Sequence, residues 1–245
     1  IEQIFLSLNL DKLYQKNDSI KEITKEIVIN ILDHPKIDNS TIHMKPEIGI
    51  INGLFATSNG DGGIIPIQIF NNYNSNINSY EIKLTGNQGD VMKESVHCSL
   101  TAAIDYIRRN MDKYPGITNL DDYLIDRFKY GFHVHAPSTS TPKDGPSAGC
   151  AFTSAFISRI LSRPIRNDVA MTGEIELTGK VTKIGGLNYK LIGAKKAGIK
   201  IVYIPSQNKD DLEEFENKYG FKCPVGVRGR NSDNKLYKEK MGVDV

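Results

Sequence analysis

Apolar residues over the first 44 positions recur at helical spacing. Ile4, Phe5, Leu8, Leu10 and Leu13 mark one stretch, and Ile20, Ile23, Ile27, Val28 and Ile31 a second that His34-Pro35 stops. Beyond the polar loop around Asp38-Asn39-Ser40 the pattern changes to strands. Gly49 to Phe55 and Ile64 to Phe70 read as a hairpin-like pair joined through Asn59-Gly60-Asp61-Gly62-Gly63. The Asn- and Ser-rich run at 71–78 is a low-complexity polar insert, read as a solvated loop with no function assigned. Met92, Val96, Leu100, Ala103 and Ile107 then draw an apolar stripe along a helix from about Asp90 to Arg109. After a polar, helical or irregular connection comes a short strand, Gly131 to Ala136. Ala151, Phe152, Ala155, Phe156 and Ile160 set a buried helix that Arg163-Pro164 ends. Asp168 to Met171 and Glu174 to Leu177 read as short strands, followed by a helix from Leu187 to about Ala197, a strand from Lys200 to Ile204, and one more helix and strand. Strands and helices mixed without a regular βαβ rhythm predict an α+β fold. The helical segment over 1–44 reads as the end of another domain, and a compact mixed-sheet domain occupies 45–245.

Composition narrows the picture only a little. With 245 residues, 39% hydrophobic and 24% charged, the chain can bury a sizeable core, which excludes global disorder. A net charge of +2 argues for neither a nucleic-acid nor a membrane surface, and no stretch is apolar enough to span a bilayer. Cys98, Cys150 and Cys223 are odd in number and widely spaced, which speaks against a disulfide framework and for a reducing compartment. The chain opens on Ile1, the expectation for a fragment or processed product.

Candidate chemistry centres on Pro142-Lys143-Asp144-Gly145-Pro146-Ser147-Ala148-Gly149. Gly145 permits a tight turn, and Pro146 suits the first helical position, where its missing N–H costs nothing. Ser147 is thereby expected on the first turn of the buried helix. There, unpaired backbone N–H groups and the helix dipole favour a developing oxyanion. A plain capped helix start uses the same residue types. A serine nucleophile needs a base, and Lys190 is the candidate: Leu187, Leu191 and Ala194 form the apolar stripe of its helix, and Lys190 shares that face. Desolvation disfavours the ammonium and lowers a lysine pKa into general-base range. The alternative is a snorkelling lysine with its stem on the core and its charge in water.

Taken together, Thr141 to Gly149, Asp168-Val169-Ala170-Met171-Thr172-Gly173-Glu174 and Gly185-Gly186-Leu187-Asn188-Tyr189-Lys190 closely resemble the proteolytic domain of Lon proteases, in order and spacing. Gly89 to Ser95 and Ala197-Gly198-Ile199-Lys200 look similar to it as well. The Lys-Asp-Gly-Pro-Ser-Ala-Gly form resembles the branch with a soluble ATPase module. The resemblance implies a Lon protease-like α+β domain and a Ser–Lys dyad endopeptidase in which Ser147 attacks and neutral Lys190 accepts the proton. Thr172 matches a family threonine that orients the lysine, although a strand-end turn residue is the plainer alternative. His133 and His135 match two family histidines and share one strand face. Structural or substrate-edge roles suit them better than a metal pair, for which no third ligand stands at a typical spacing. Asp144 caps the serine helix or shapes the loop, capping being the simpler role. Phe55-Ala56-Thr57 and Gln68 depart from the Trp-Thr segment and the glutamate of many relatives, which bears on the wall of the substrate groove.

No Walker A run occurs, so no cofactor is expected in this chain; ATP and Mg are implied only for an AAA+ module. The resemblance further implies unfolded or damaged proteins as substrates, an AAA+ ATPase partner whose small helical subdomain ends in Ile1 to Met44, and a homo-hexamer. The bacterial cytoplasm or the mitochondrial matrix would be its compartment. Two other readings stand beside it: a small-molecule kinase-like phosphate binder of the same superfold, and a catalytically silent assembly domain.

Overall fold

The computed structural model describes residues 42–73, 81–137 and 143–220. The helical stretches expected before Met44 and the final expected strand fall almost wholly outside the described residues. The chain divides into two units, Ile1–Asn39 and Ser40–Val245, and every described residue belongs to the second.

In chain order the elements are β1 (Glu47–Ile48), β2 (Ile50–Ala56), β3 (Gly62–Asn71), β4 (Ile82–Thr85), α1 (Asp90–Arg109), α2 (Leu120–Phe128), β5 (Phe132–His135), α3 (Gly149–Leu161), β6 (Pro164–Ile165), β7 (Val169–Met171), β8 (Glu174–Ile175), β9 (Val181–Thr182), α4 (Leu187–Ala197), β10 (Ile201–Tyr203) and α5 (Lys209–Tyr219). Six strands form one mixed sheet in the order β10-β7-β2-β3-β5-β4, and β1-β6 and β8-β9 are separate two-stranded ribbons. The fold class is α+β.

Strand alternation sends apolar side chains to both faces of the sheet. Ile51 of β2, Ile67 and Ile69 of β3, and Phe132 and Val134 of β5 join the apolar stripes of α1, α2 and α3 in the main core. Phe132 stacks on Phe128 and meets Phe156 edge-on, tying sheet, α2 and α3 together. Leu54, Ile64 and Ala170 point the other way and pack on Ala194 of α4. The helix carrying Lys190 therefore lies on the face opposite the helix that follows Ser147.

The expected β2–β3 hairpin, the 20-residue α1 and the α4 helix all form. Three local features differ from the sequence reading. The serine helix starts at Gly149 with Ala148 as its N-cap, so Ser147 lies in the turn just before it. The polar insert begins inside structure: Asn71 ends β3, and the N–H of buried Asn72 donates to Gly131 O. Glu174–Ile175 pairs with Val181–Thr182 as a ribbon apart from the main sheet. The sequence reading also passed over β4, a four-residue edge strand parallel to β5.

α4 approaches the sheet through glycine. A Cβ on Gly193 would collide with the backbone of Gly62 and Gly63, and one on Gly62 with the carbonyl of Tyr189. Gly193→Ala is therefore expected to overpack this contact and destabilise the domain by about 1–3 kcal/mol. Gly116→Ala, where a Cβ would meet nothing, is expected to change stability far less. Urea unfolding of the two variants checks the contrast.

Candidate active site

Ser147 sits in a turn whose peptide planes are anchored on both sides. Pro146 O accepts from Gly149 N–H at 3.0 Å and from the Ser95 hydroxyl at 3.3 Å. Ser147 O accepts from Gly173 N–H at 2.8 Å and from the Thr172 hydroxyl at 3.1 Å. Gly149 leaves room for this turn, since a Cβ there would press on Ile175 and on the Ser95 oxygen.

Asp144 does not cap the serine helix. Its Oδ1 accepts from Met92 N–H at 3.0 Å, in the first turn of α1, and from Gly145 N–H at 2.8 Å. It caps a helix 52 residues away in sequence and pins the loop to it. Gly89 permits the approach, because a Cβ there would strike the carboxylate.

Lys190 enters from α4 on the other side of the sheet. The residue is 3% exposed, and its Nζ lies 2.9 Å from Ser147 Oγ and 3.1 Å from Thr172 Oγ1. Thr172 is 1% exposed and follows β7; its own N–H is held by Tyr203 O at 3.1 Å. Because the Thr172 hydroxyl gives its proton to Ser147 O, it presents a lone pair to the amine. A neutral Lys190 can then donate one N–H to Thr172 and turn its own lone pair towards the serine hydroxyl.

Comparison with known sequences bears on what this constellation is. The family model for the Lon protease (S16) C-terminal proteolytic domain matches residues 22–223. The chain belongs to this Lon proteolytic-domain family. A Lon protease homolog of Acanthamoeba polyphaga mimivirus is 52% identical over 199 residues, covering 80% of this chain and 18% of that protein. A Lon protease of Mycoplasmopsis agalactiae is 40% identical, covering 86% and 21%. A mitochondrial Lon protease homolog of Caenorhabditis elegans is 36% identical, covering 90% and 22%. The chain thus spans about a fifth of the length of these Lon relatives.

Within this Lon-type domain, Ser147, Thr172 and Lys190 come together, whereas His133 and His135 do not join them. The two histidines stand on one face of β5, and their Nε2 and Nδ1 atoms reach the single hydroxyl of Thr85 at 2.9 and 2.8 Å. Burial, with Lys83 and His135 adding to it, lowers the His133 pKa. Among the described residues no group of three or more His, Cys, Asp or Glu side chains is placed to hold a metal ion. Cys98 and Cys150 are free thiols, and no described helix is long and apolar enough to cross a membrane. Sequence reasoning missed Ser95 and Ser99, one turn apart on α1, which bond Pro146 O and Gly149 O on either side of Ser147. The only available signal was two serines at i, i+4 on an apolar stripe.

Burial lowers the Lys190 pKa from 10.5 to about 8. The unfolded chain returns it to the ordinary lysine range, so between about pH 8 and pH 10.4 the unfolded state binds more protons and stability from this group rises with pH. Below pH 8 the full cost of burying the ammonium remains. Lys190→Met is accordingly expected to stabilise the domain at pH 7 by at least ~1 kcal/mol, with the advantage shrinking at pH 10. Thermal melts of both proteins at the two pH values measure the difference; a gap that widened with pH would contradict a neutralisable buried amine.

Proposed function

We propose that this domain is a serine endopeptidase in which Ser147 and Lys190 act as a catalytic dyad. The observation that carries the reading is the 2.9 Å approach of a buried, desolvated amine to the hydroxyl of a turn serine. Neutral Lys190 accepts the Ser147 proton as Oγ attacks the peptide carbonyl. The ammonium then protonates the leaving amine, and in deacylation the amine activates water against the acyl-serine ester. Thr172 orients Lys190 and fixes the carbonyl of Ser147.

The oxyanion donors are the N–H groups of Ser147 and Ala148. A trans peptide points its N–H away from its C=O, and both preceding carbonyls are doubly held. Neither N–H has a hydrogen-bond partner among the described residues. The helix-terminal N–H groups of Gly149 and Cys150, by contrast, are occupied by Pro146 O and Gly173 O. That occupation also leaves a kinase-like phosphate site at this helix end without support.

The sheet offers an edge to an extended substrate. β7 pairs with β2 only at Asn52 and Gly53, so the same edge of Leu54 to Ala56 continues past Met171 with no strand partner among the described residues. An extended peptide can add to such an edge through its backbone. In the full-length protein, segment 1–44 belongs to a preceding AAA+ module that binds ATP and Mg and feeds unfolded or damaged proteins to the 45–245 domain within an intracellular homo-hexamer. This part of the reading rests on the resemblance to Lon proteases; the relatives are Lon proteases about five times as long as this chain, which leaves room in such a protein for a further module.

Ser147→Ala and Lys190→Ala are each expected to lower hydrolysis of a fluorogenic peptide by at least ~10³-fold with unchanged circular dichroism. Cleavage persisting in either pure variant would remove that residue from the mechanism. Because only the neutral amine accepts a proton, kcat/KM is expected to rise about tenfold from pH 7 to pH 9, around a midpoint near 8. A profile flat across this interval would exclude Lys190 as the base.

A further inference from the structure

Lys190 owes its placement to the segment that launches α4, and that segment is held by one side chain the mechanism does not use. Asn208 is 0% exposed, at the start of α5. It makes no cap bond to its own helix. Its Oδ1 accepts from Ile184 N–H at 3.0 Å while its Nδ2 donates to Ile184 O at 2.8 Å and to Asp211 Oδ2 at 2.7 Å. One amide thus satisfies both backbone groups of a single residue, as a neighbouring strand would. The adjacent residue is held in the same way: Lys183 N–H donates to Gln207 Oε1 at 2.9 Å, and the Lys183 ammonium pairs with Asp211 at 3.0 Å.

Directly after this clamp come Gly185 and Gly186, the latter at φ 68, and then α4. Lys190 N–H bonds to Gly186 O, so the first turn of the helix that carries the base is tied to the diglycine step. Two glycines add freedom between clamp and helix, and the backbone upstream is fixed by Asn208. Ile184, Leu187 and Leu212 form a small apolar cluster under the same turn. Without the amide, Ile184 would keep two buried backbone groups unpaired, and the local escape is to admit water at the entrance to α4.

We infer that Asn208 is a positioning residue for the proposed reaction: by clamping Ile184 it holds the start of α4 closed and keeps Lys190 dry beside Ser147. This rests on the dyad reading, but its primary readout does not. Burial alone lowers the Lys190 pKa, with no charged neighbour contributing, and the charged members of the clamp, Lys183 and Asp211, pair with one another. Water admitted at the helix start moves the lysine midpoint upwards, whereas simple loss of folded protein lowers the amplitude of every signal and leaves the midpoint in place.

The test is the Lys190 titration, read from the lysine side-chain resonances of isotopically labelled protein and assigned with Lys190→Met. In Asn208→Ala the midpoint is expected to rise from near 8 by about one pH unit or more. Asn208→Asp, which still accepts from Ile184 N–H but cannot donate to its carbonyl, is expected to fall between the two and serves if the alanine variant fails to fold. An Asn208 variant that folds and titrates within about 0.2 pH units of the unsubstituted chain overturns the inference. Peptide hydrolysis followed in parallel is expected to show kcat at pH 7 reduced several-fold with little change in KM, recovering as pH rises. Should Lys190→Ala retain full hydrolysis, the dyad reading fails, and the titration still decides whether Asn208 controls the environment of that amine.

Discussion

The desolvation of one amine is the constraint on which the arrangement of this domain depends. Lys190 is held out of water between two hydroxyls, and its neutral form becomes accessible near neutral pH only because α4 lies against the sheet at glycine-to-glycine distance. Any side chain at Gly62 or Gly193 would lift the helix and open a path for solvent. The same closeness explains why the proposed base needs no charged partner. A histidine base is oriented by a carboxylate in the triad arrangement, whereas here orientation comes from the Thr172 hydroxyl and the lowered pKa comes from packing.

The proposed nucleophile is fixed by a different set of elements. α1 contributes its first-turn N–H group to Asp144 and two hydroxyls, from Ser95 and Ser99, to carbonyls flanking Ser147. β7 and the step after it contribute Thr172 and Gly173, both bonded to Ser147 O. The serine is therefore positioned by α1 and β7 and the lysine by α4, and they meet only where the three are packed. Local sequence around Ser147 supplies the turn, while its orientation comes from partners 25 to 52 residues away.

This division sets what the sequence could reveal. α1, α4 and the β2–β3 hairpin are long, periodic elements, and the sequence reading places them within one or two residues. Ser147 and Lys190 were legible because resemblance joined two local patterns that separately suit a cap and a snorkelling side chain. The start of the serine helix was misplaced for a physical reason. Asp144, Pro146 and Ser147 carry ordinary helix-start signals, yet the Asp144 carboxylate is captured by α1 and the Ser147 carbonyl by Gly173 and Thr172, so helical geometry begins only at Gly149. β4 was missed because four residues beside a polar insert carry too little periodicity, and its pairing with β5 is decided by contacts distant in sequence. The Thr85 hydroxyl shared by His133 and His135 lies in that strand, so their setting was equally hidden.

A base activated by packing ties activity to tertiary integrity more tightly than one activated by a neighbouring charge. In the proposed mechanism, solvent entering beside α4 restores the hydration of the ammonium and withdraws the base while the core of α1, α3 and the sheet stays folded. The charged form works in the same direction, since a protonated Lys190 favours whatever opening hydrates it. Below the lysine midpoint, protonation and loosening of α4 therefore reinforce each other.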